Sequence, residues 1–203
     1  LKAFKEGIDI HAMTASQVFG TPVDEVTSLE RSHAKEVNFG IIYGMSAFGL
    51  SQNLNVSRSE AAEIIEAYWK EFPSVRIYMD ECIAKAKEQG YVETILGRRR
   101  YLRNINAGNF TMRGYDERNA INAPIQGSAA DVIKLAMIRV SSAMSEAKLK
   151  SKMLLQVHDE LVFELPEAEL EKTKTIIQAA MENALELDVP LVVNFEVGKS
   201  LAK

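Results

Sequence analysis

Met153-Leu154-Leu155-Gln156-Val157-His158-Asp159-Glu160-Leu161-Val162-Phe163 changes the period of this chain. Two short apolar runs flank three polar residues, which reads as strands at 153–157 and 161–165 joined by a tight turn. Pro166 then begins a helix to about residue 187, and Pro190 precedes a last strand at 191–197. Strand, strand, helix, strand is most of a split β-α-β sheet. A four-stranded sheet of that kind needs one more strand, and no earlier segment supplies it.

Upstream of this stretch the chain reads as helices. Asp9 can cap a helix over 10–19, and Gly20 ends it. Thr27-Ser28-Leu29-Glu30 matches a capping box and opens a helix over 28–43. Ser57-Arg58-Ser59-Glu60 is a second box, and Ile64, Ile65, Tyr68, Trp69 and Phe72 then share one face. Pro73 interrupts, and a further helix runs to about residue 89, before Gly90. Segments 91–95 and 101–105 flank Gly97-Arg98-Arg99-Arg100 and read as a hairpin. A polar loop is expected over 106–114, then helix over 115–122, a break at Pro124, and helix again over 127–147. The expected class is α+β, with a boundary near residue 115 between a helical part and a part carrying an incomplete antiparallel sheet.

The composition fits a packed chain. Its 203 residues are 47% hydrophobic and 26% charged, with a net charge of −4, which excludes disordered, collagen-like and low-complexity classes. The single cysteine, Cys82, excludes a disulfide framework and a cysteine-based zinc site. The first residue is Leu1 and no secretory signal precedes it, so the expectation is a piece of a longer cytoplasmic protein. Charge is unevenly spread. Residues 97–118 hold six arginines and two acids, whereas 159–188 hold nine acids and two lysines. A basic tract beside an acidic segment suggests a polyanion site near a metal-binding zone.

Three constellations carry candidate chemistry. Arg31, Lys35, Phe39 and Tyr43 recur every four residues, so they fall at about 0°, 40°, 80° and 120° around a helix. Two cations near the helix start suit a phosphate chain, and two rings further on suit a sugar and a base. The alternative is a solvated basic face with two packed aromatics. At the hairpin tip His158-Asp159-Glu160, short carboxylates could meet Mg²⁺, which takes one or two carboxylates plus phosphates and water. The alternative is a solvated turn. Arg118, Asn122 and Gln126 repeat the four-residue spacing and carry donors suited to a sugar-phosphate track, or else they cap helix ends around Pro124.

Together these segments resemble the C-terminal part of family A DNA polymerases, of the DNA polymerase I type. Arg31-Ser32-His33-Ala34-Lys35-Glu36-Val37-Asn38-Phe39-Gly40-Ile41-Ile42-Tyr43-Gly44 resembles the family's fingers helix. Asn119-Ala120-Ile121-Asn122-Ala123-Pro124-Ile125-Gln126-Gly127 resembles its fingers-to-palm junction, and Val157-His158-Asp159-Glu160-Leu161 its second palm motif. Asp9-Ile10-His11 precedes them in the expected order. The resemblance implies a fingers subdomain over 1–115, with a small hairpin near 91–105, and part of a palm over 116–203. It implies that Arg31 and Lys35 bind a dNTP triphosphate with help from His11, and that Lys35 is an acid toward the leaving pyrophosphate. Phe39 would lie against the incoming sugar, and Tyr43 would sit at the templating position. Arg118, Asn122, Gln126 and His158 would hold the DNA primer-template. Asp159 would bind Mg²⁺, with Glu160 close by.

The chain also departs from the family pattern. Ser32 stands where many relatives have a second Arg, Arg103-Asn104 where Pro-Asp is usual, and the tail lacks a common Asn-Trp. The resemblance further implies that the first palm motif, with its metal-binding Asp, lies before Leu1. The chain alone would then be inactive, in need of the rest of its own polypeptide (palm, thumb, exonuclease domain), and able to self-associate through an exposed sheet edge. A bacterial cytoplasmic, nucleoid-associated setting is expected. The competing readings are a metal phosphohydrolase using His33, His158, Asp159 and Asp188, and a module that grips nucleic acid without chemistry. A single-subunit RNA polymerase fits less well, because Phe39 and the Asn-Ala-Pro-Ile-Gln-Gly run would be unexpected there.

Overall fold

The computed structural model describes residues 2–200. The chain forms two compact units, Lys2–Gly127 and, among the described residues, 128–200, which divide within one long helix.

The first unit is helical. A short α1 (Lys2–Lys5) precedes α2 (Ile10–Phe19). Asp9 Oδ1 accepts the His11 and Ala12 amides at 2.9 and 3.1 Å, satisfying donors that the first turn leaves free. Gly20, at φ 80°, ends α2 in the left-handed region. Thr27 and Glu30 close a reciprocal capping box at the start of α3 (Ser28–Ile42). Ser46 caps α4 (Ala47–Leu54), and Ser57 with Glu60 closes a second box on α5 (Arg58–Glu71). Val37 and Ile41 of α3, Leu50 and Leu54 of α4, and Ala61 and Tyr68 of α5 form the larger core. Ile64, Ile65, Trp69 and Phe72 pack around it, as their shared face predicts.

Pro73 begins α6 (Pro73–Gln89), and Gly90 at φ 77° stops it. The hairpin that follows is shorter than its sequence suggests. β1 (Tyr91–Glu93) pairs antiparallel with β2 (Arg99–Tyr101), Tyr91 opposite Tyr101. Leu102, whose amide still donates to the Gly90 carbonyl at 2.9 Å, and Ile105 beyond the ladder bury themselves with Ala86, Val92 and Ala120. Apolar burial there outweighs further strand pairing.

Two expectations fail on the next element, α7 (Phe110–Glu146). The loop expected over 106–114 is already helix from Phe110, because Asn109 Oδ1 accepts the Thr111 and Met112 amides. The break expected at Pro124 is absent, and the helix runs through it. Proline removes one backbone donor, and the remaining bonds of a long helix carry the chain past that gap.

In the second unit, β3 (Lys152–Val157) pairs antiparallel with β4 (Glu160–Glu164), with a register irregularity between Met153 and Leu155. A short 3₁₀ turn at Glu167–Glu169 leads into α8 (Leu170–Glu182). Val140, Met144 and Ile177 form the core, with Leu149, Phe163, Ile176, Ala180 and Met181 against it. Glu169 accepts the Lys150 and Ser151 amides and the Ser151 hydroxyl, tying the start of β3 to α8. The helix ends before the expected residue 187, because the Asn183 side chain donates to the Ala179 carbonyl at 2.8 Å and caps it. The strand expected over 191–197 does not form among the described residues. Val193 N–H donates to the Glu182 carboxylate rather than to a ladder, and Val192 and Val197 are exposed. Among the described residues the strands of this unit are thus β3 and β4, a smaller sheet than the split β-α-β pattern, within an α+β chain. Among the described residues no helix is long and apolar enough to cross a membrane.

Candidate functional site

In the first unit the α3 stripe forms as its spacing predicts. Arg31 and Lys35 are exposed, Phe39 is 45% exposed, and Tyr43 caps the helix end half-buried. Phe39 and Tyr43 stack at 6.1 Å with an interplanar angle of 21°. Ala34, Val37 and Ile41 are buried beneath, so the apolar side of α3 is spent on the core and the cation-aromatic stripe faces outward.

α2 brings two more groups to this stripe. The His11 ring lies 5.9 Å from Phe39. Asp9 Oδ2 accepts Arg31 Nε at 2.7 Å, while its other oxygen caps α2. That hydrogen bond from Arg31 is the largest influence holding the Asp9 carboxyl below its ordinary range. Burial pushes the His11 pKa down, Arg31 and Lys35 lower it further, and Asp9 opposes them. Asp9 as the partner of Arg31 was not legible beforehand, since the sequence marked it only as a helix cap.

Arg118 joins from α7. A Cβ built on Gly44, just past Tyr43, would meet Arg118 Cγ at 3.0 Å and Cδ at 3.2 Å, so the arginine stem lies against that turn. Because α7 is unbroken, Arg118, Asn122 and Gln126 stay on one stripe, about 40° apart in sequence. Arg118 and Gln126 are exposed, and Asn122 Oδ1 is buried with no hydrogen-bond partner among the described residues. Much of the basic tract is engaged internally. Arg98 donates to the Gly127 carbonyl at 3.0 Å, Arg99 pairs with Glu93 and lies over Tyr91, and Arg113 sits over Phe110. Arg100 and Arg103 are exposed.

In the second unit, His158 and Asp159 make a two-residue turn between Val157 and Glu160, which face each other across the hairpin. His158 takes φ 54°, a left-handed value that histidine tolerates better than most side chains. Gln156 Nε2 holds the His158 carbonyl at 2.9 Å. Asp159 and Glu160 stand exposed at the tip. Their hard carboxylate oxygens are the donors Mg²⁺ takes, and the pair suits an ion that draws its other ligands from phosphate and water. Among the described residues no three His, Cys, Asp or Glu side chains are grouped to hold a metal. His158, Asp159 and Asp188, which share the second unit, are therefore not grouped as a metal centre among the described residues.

The whole chain, residues 1–203, matches the family described as DNA polymerase family A. The chain belongs to DNA polymerase family A. This family A chain is 51% identical over 199 residues to DNA polymerase I of Streptococcus pneumoniae serotype 4, covering 98% of this chain and 23% of that protein. It is 50% identical over 198 residues to DNA polymerase I of Geobacillus stearothermophilus, at the same coverage. Among solved structures, it is similar to the POL domain of Pol1 from M. smegmatis in complex with DNA primer-template and dNTP. The TM-score is 0.90 at 47% identity, over 94% of this chain and 34% of that one. The family A chain spans about a quarter of the length of the curated relatives it matches, 23% in each case.

Proposed function

We propose that this chain is the fingers and part of the palm of a template-directed DNA polymerase, with fingers over 1–115 and palm over 116–203. The observation that carries the reading is the exposed α3 stripe. Two cations lie one turn apart, followed by stacked rings, with His11 against the first ring. Arg31 offers a planar fork and Lys35 a point charge to a triphosphate, and His11 adds a further donor. Phe39 lies against the sugar and Tyr43 against the templating position. The Arg118, Asn122 and Gln126 stripe, with His158, tracks the primer-template, and the bare Asn122 Oδ1 supports a polar ligand there.

The reaction is transfer of a nucleotidyl group from a dNTP. The primer 3′-hydroxyl loses its proton to water as its oxygen bonds to the α-phosphorus and the bond to pyrophosphate breaks. Arg31 and Lys35 neutralise charge on the leaving group, and Lys35 supplies it a proton. Two Mg²⁺ ions, held from this chain by Asp159 with Glu160 beside it, would stabilise the attacking and leaving oxygens. One hairpin tip offers too few ligands for two ions, so the 203-residue chain alone is expected to show no primer extension under Mg²⁺. The setting proposed for the parent protein is the bacterial cytoplasm, at the nucleoid.

The test uses the full-length parent. Asp159→Asn should abolish incorporation while primer-template binding stays within about twofold. Lys35→Ala should slow single-nucleotide incorporation by about 10²–10⁴, the usual loss for a general acid. Full incorporation by the Asp159→Asn protein would sink the reading.

A further inference from the structure

Asn38 precedes Phe39 on α3 and is only 8% exposed, a buried amide among the apolar Ala34, Val37 and Ile41. Its Nδ2 lies 3.1 Å from His11 Nδ1 and 3.1 Å from Thr14 Oγ1. Thr14 is 1% exposed, and its hydroxyl lies 2.8 Å from the Ile10 carbonyl oxygen. A hydroxyl has one hydrogen, and a carbonyl only accepts. The Ile10 contact therefore takes the Thr14 hydrogen, being shorter than the 3.2 Å separation from Asn38 Oδ1. The Thr14 oxygen is left to accept one amide hydrogen of Asn38. The other amide hydrogen goes to His11 Nδ1, which must then be bare.

We infer that Asn38 is a positioning residue whose Nδ2–H, held against His11 Nδ1, fixes His11 in its neutral Nε2–H tautomer. The functional meaning rests on reading His11 as a triphosphate contact, whereas the tautomer assignment does not. The relay runs in one direction, from Asn38 to Thr14 to the Ile10 carbonyl, while the Asn38 donation to Nδ1 leaves Nε2 as the only N–H of the ring. Protonating Nδ1 would set two donors against each other. The charged groups facing His11 are Asp9 beside it and Arg31 and Lys35 across on α3. Burial and the two cations favour the neutral ring, in the same sense as the relay. A neutral donor can then hold a phosphate oxygen while Arg31 and Lys35 carry the charge.

Nitrogen-15 NMR of the histidine rings in the 203-residue chain tests this. The expected spectrum at neutral pH has a bare Nδ1 and a protonated Nε2 on His11. Asn38→Asp replaces the donor by an acceptor, so Nδ1 should take a proton and the His11 titration midpoint should rise by about one pH unit or more. Asn38→Leu keeps the bulk but removes the donor to Nδ1, and both tautomers should then appear. Circular dichroism establishes that each variant is folded. A protonated Nδ1 in the unsubstituted chain would overturn the assignment, as would an unmoved midpoint in folded Asn38→Asp. Addition of a dNTP separates the two readings. If the Nε2 resonance stays still while Nδ1 is bare, the nucleotide role of His11 fails and the role of Asn38 stands.

Discussion

Gly44 takes φ 77° at the end of α3, and any side chain there would press on the Arg118 stem at 3.0 Å. Both effects act against substitution, since a left-handed conformation costs an L-residue about 1–2 kcal/mol before any crowding. Gly44→Ala should lower stability by about that amount in a denaturant titration. The Phe39, Tyr43 and Arg31 arrangement was legible, because four-residue spacing fixes a stripe once a helix is granted. The Thr14, Asn38 and His11 relay was not. A polar residue on the buried side of α3 was the available signal, but its partners lie 24 and 27 positions away and only packing of α2 on α3 brings them near.

At the scale of elements, the hairpin formed by β1 and β2 is docked on α7 through a close fit. A Cβ on Gly127 would lie 2.5 Å from Thr94 Cγ2. Thr94 Oγ1 meanwhile accepts the Arg98 amide at 3.1 Å, and Arg98 donates to the Gly127 carbonyl. Gly127→Ala should therefore destabilise the first unit, and Thr94→Ser, which keeps the hydroxyl and deletes the methyl, should restore much of the loss. A double-mutant cycle read by thermal melting measures that coupling, and strictly additive effects would refute the fit. The α3 capping box offers a second test. Thr27→Ala removes the acceptor for the Glu30 amide and should cost about 1 kcal/mol by urea unfolding. The caps at Asp9, Thr27 and Ser57 were legible in short motifs, because a cap is a local hydrogen bond, whereas those at Ser46 and Asn109 were not. The run through Pro124 was misread, because the bonds that carry a long helix past one missing donor are not visible in any short window.

For the whole molecule, acid stability follows from four carboxylates that cap or tie elements. Asp9 is held down first by the Arg31 hydrogen bond, Glu30 by the Thr21 hydroxyl, Glu60 by hydrogen bonding from Ser57, and Glu169 by the Lys150 amide. The unfolded chain, with ordinary values of 3.8 for Asp and 4.5 for Glu, binds protons at these groups before the folded chain does. Their contribution is thus fully present above that range and is lost as pH falls below it. Far-UV circular dichroism with pH should show a plateau through the carboxylate range from above and unfolding beneath it. Unfolding that begins well above pH 5 would point to other groups. The sequence alone determined the caps at Asp9, Thr27 and Ser57, the cation-aromatic stripe, the hairpin tip and the family, since each depends on spacing within a short window. Tertiary structure decided the reach of α7, the absence of a strand over 191–197, and the joining of Asp9 to Arg31 and Asn38 to His11. Those outcomes depend on which distant groups arrive to satisfy a donor or cover an apolar face, and no local pattern records that.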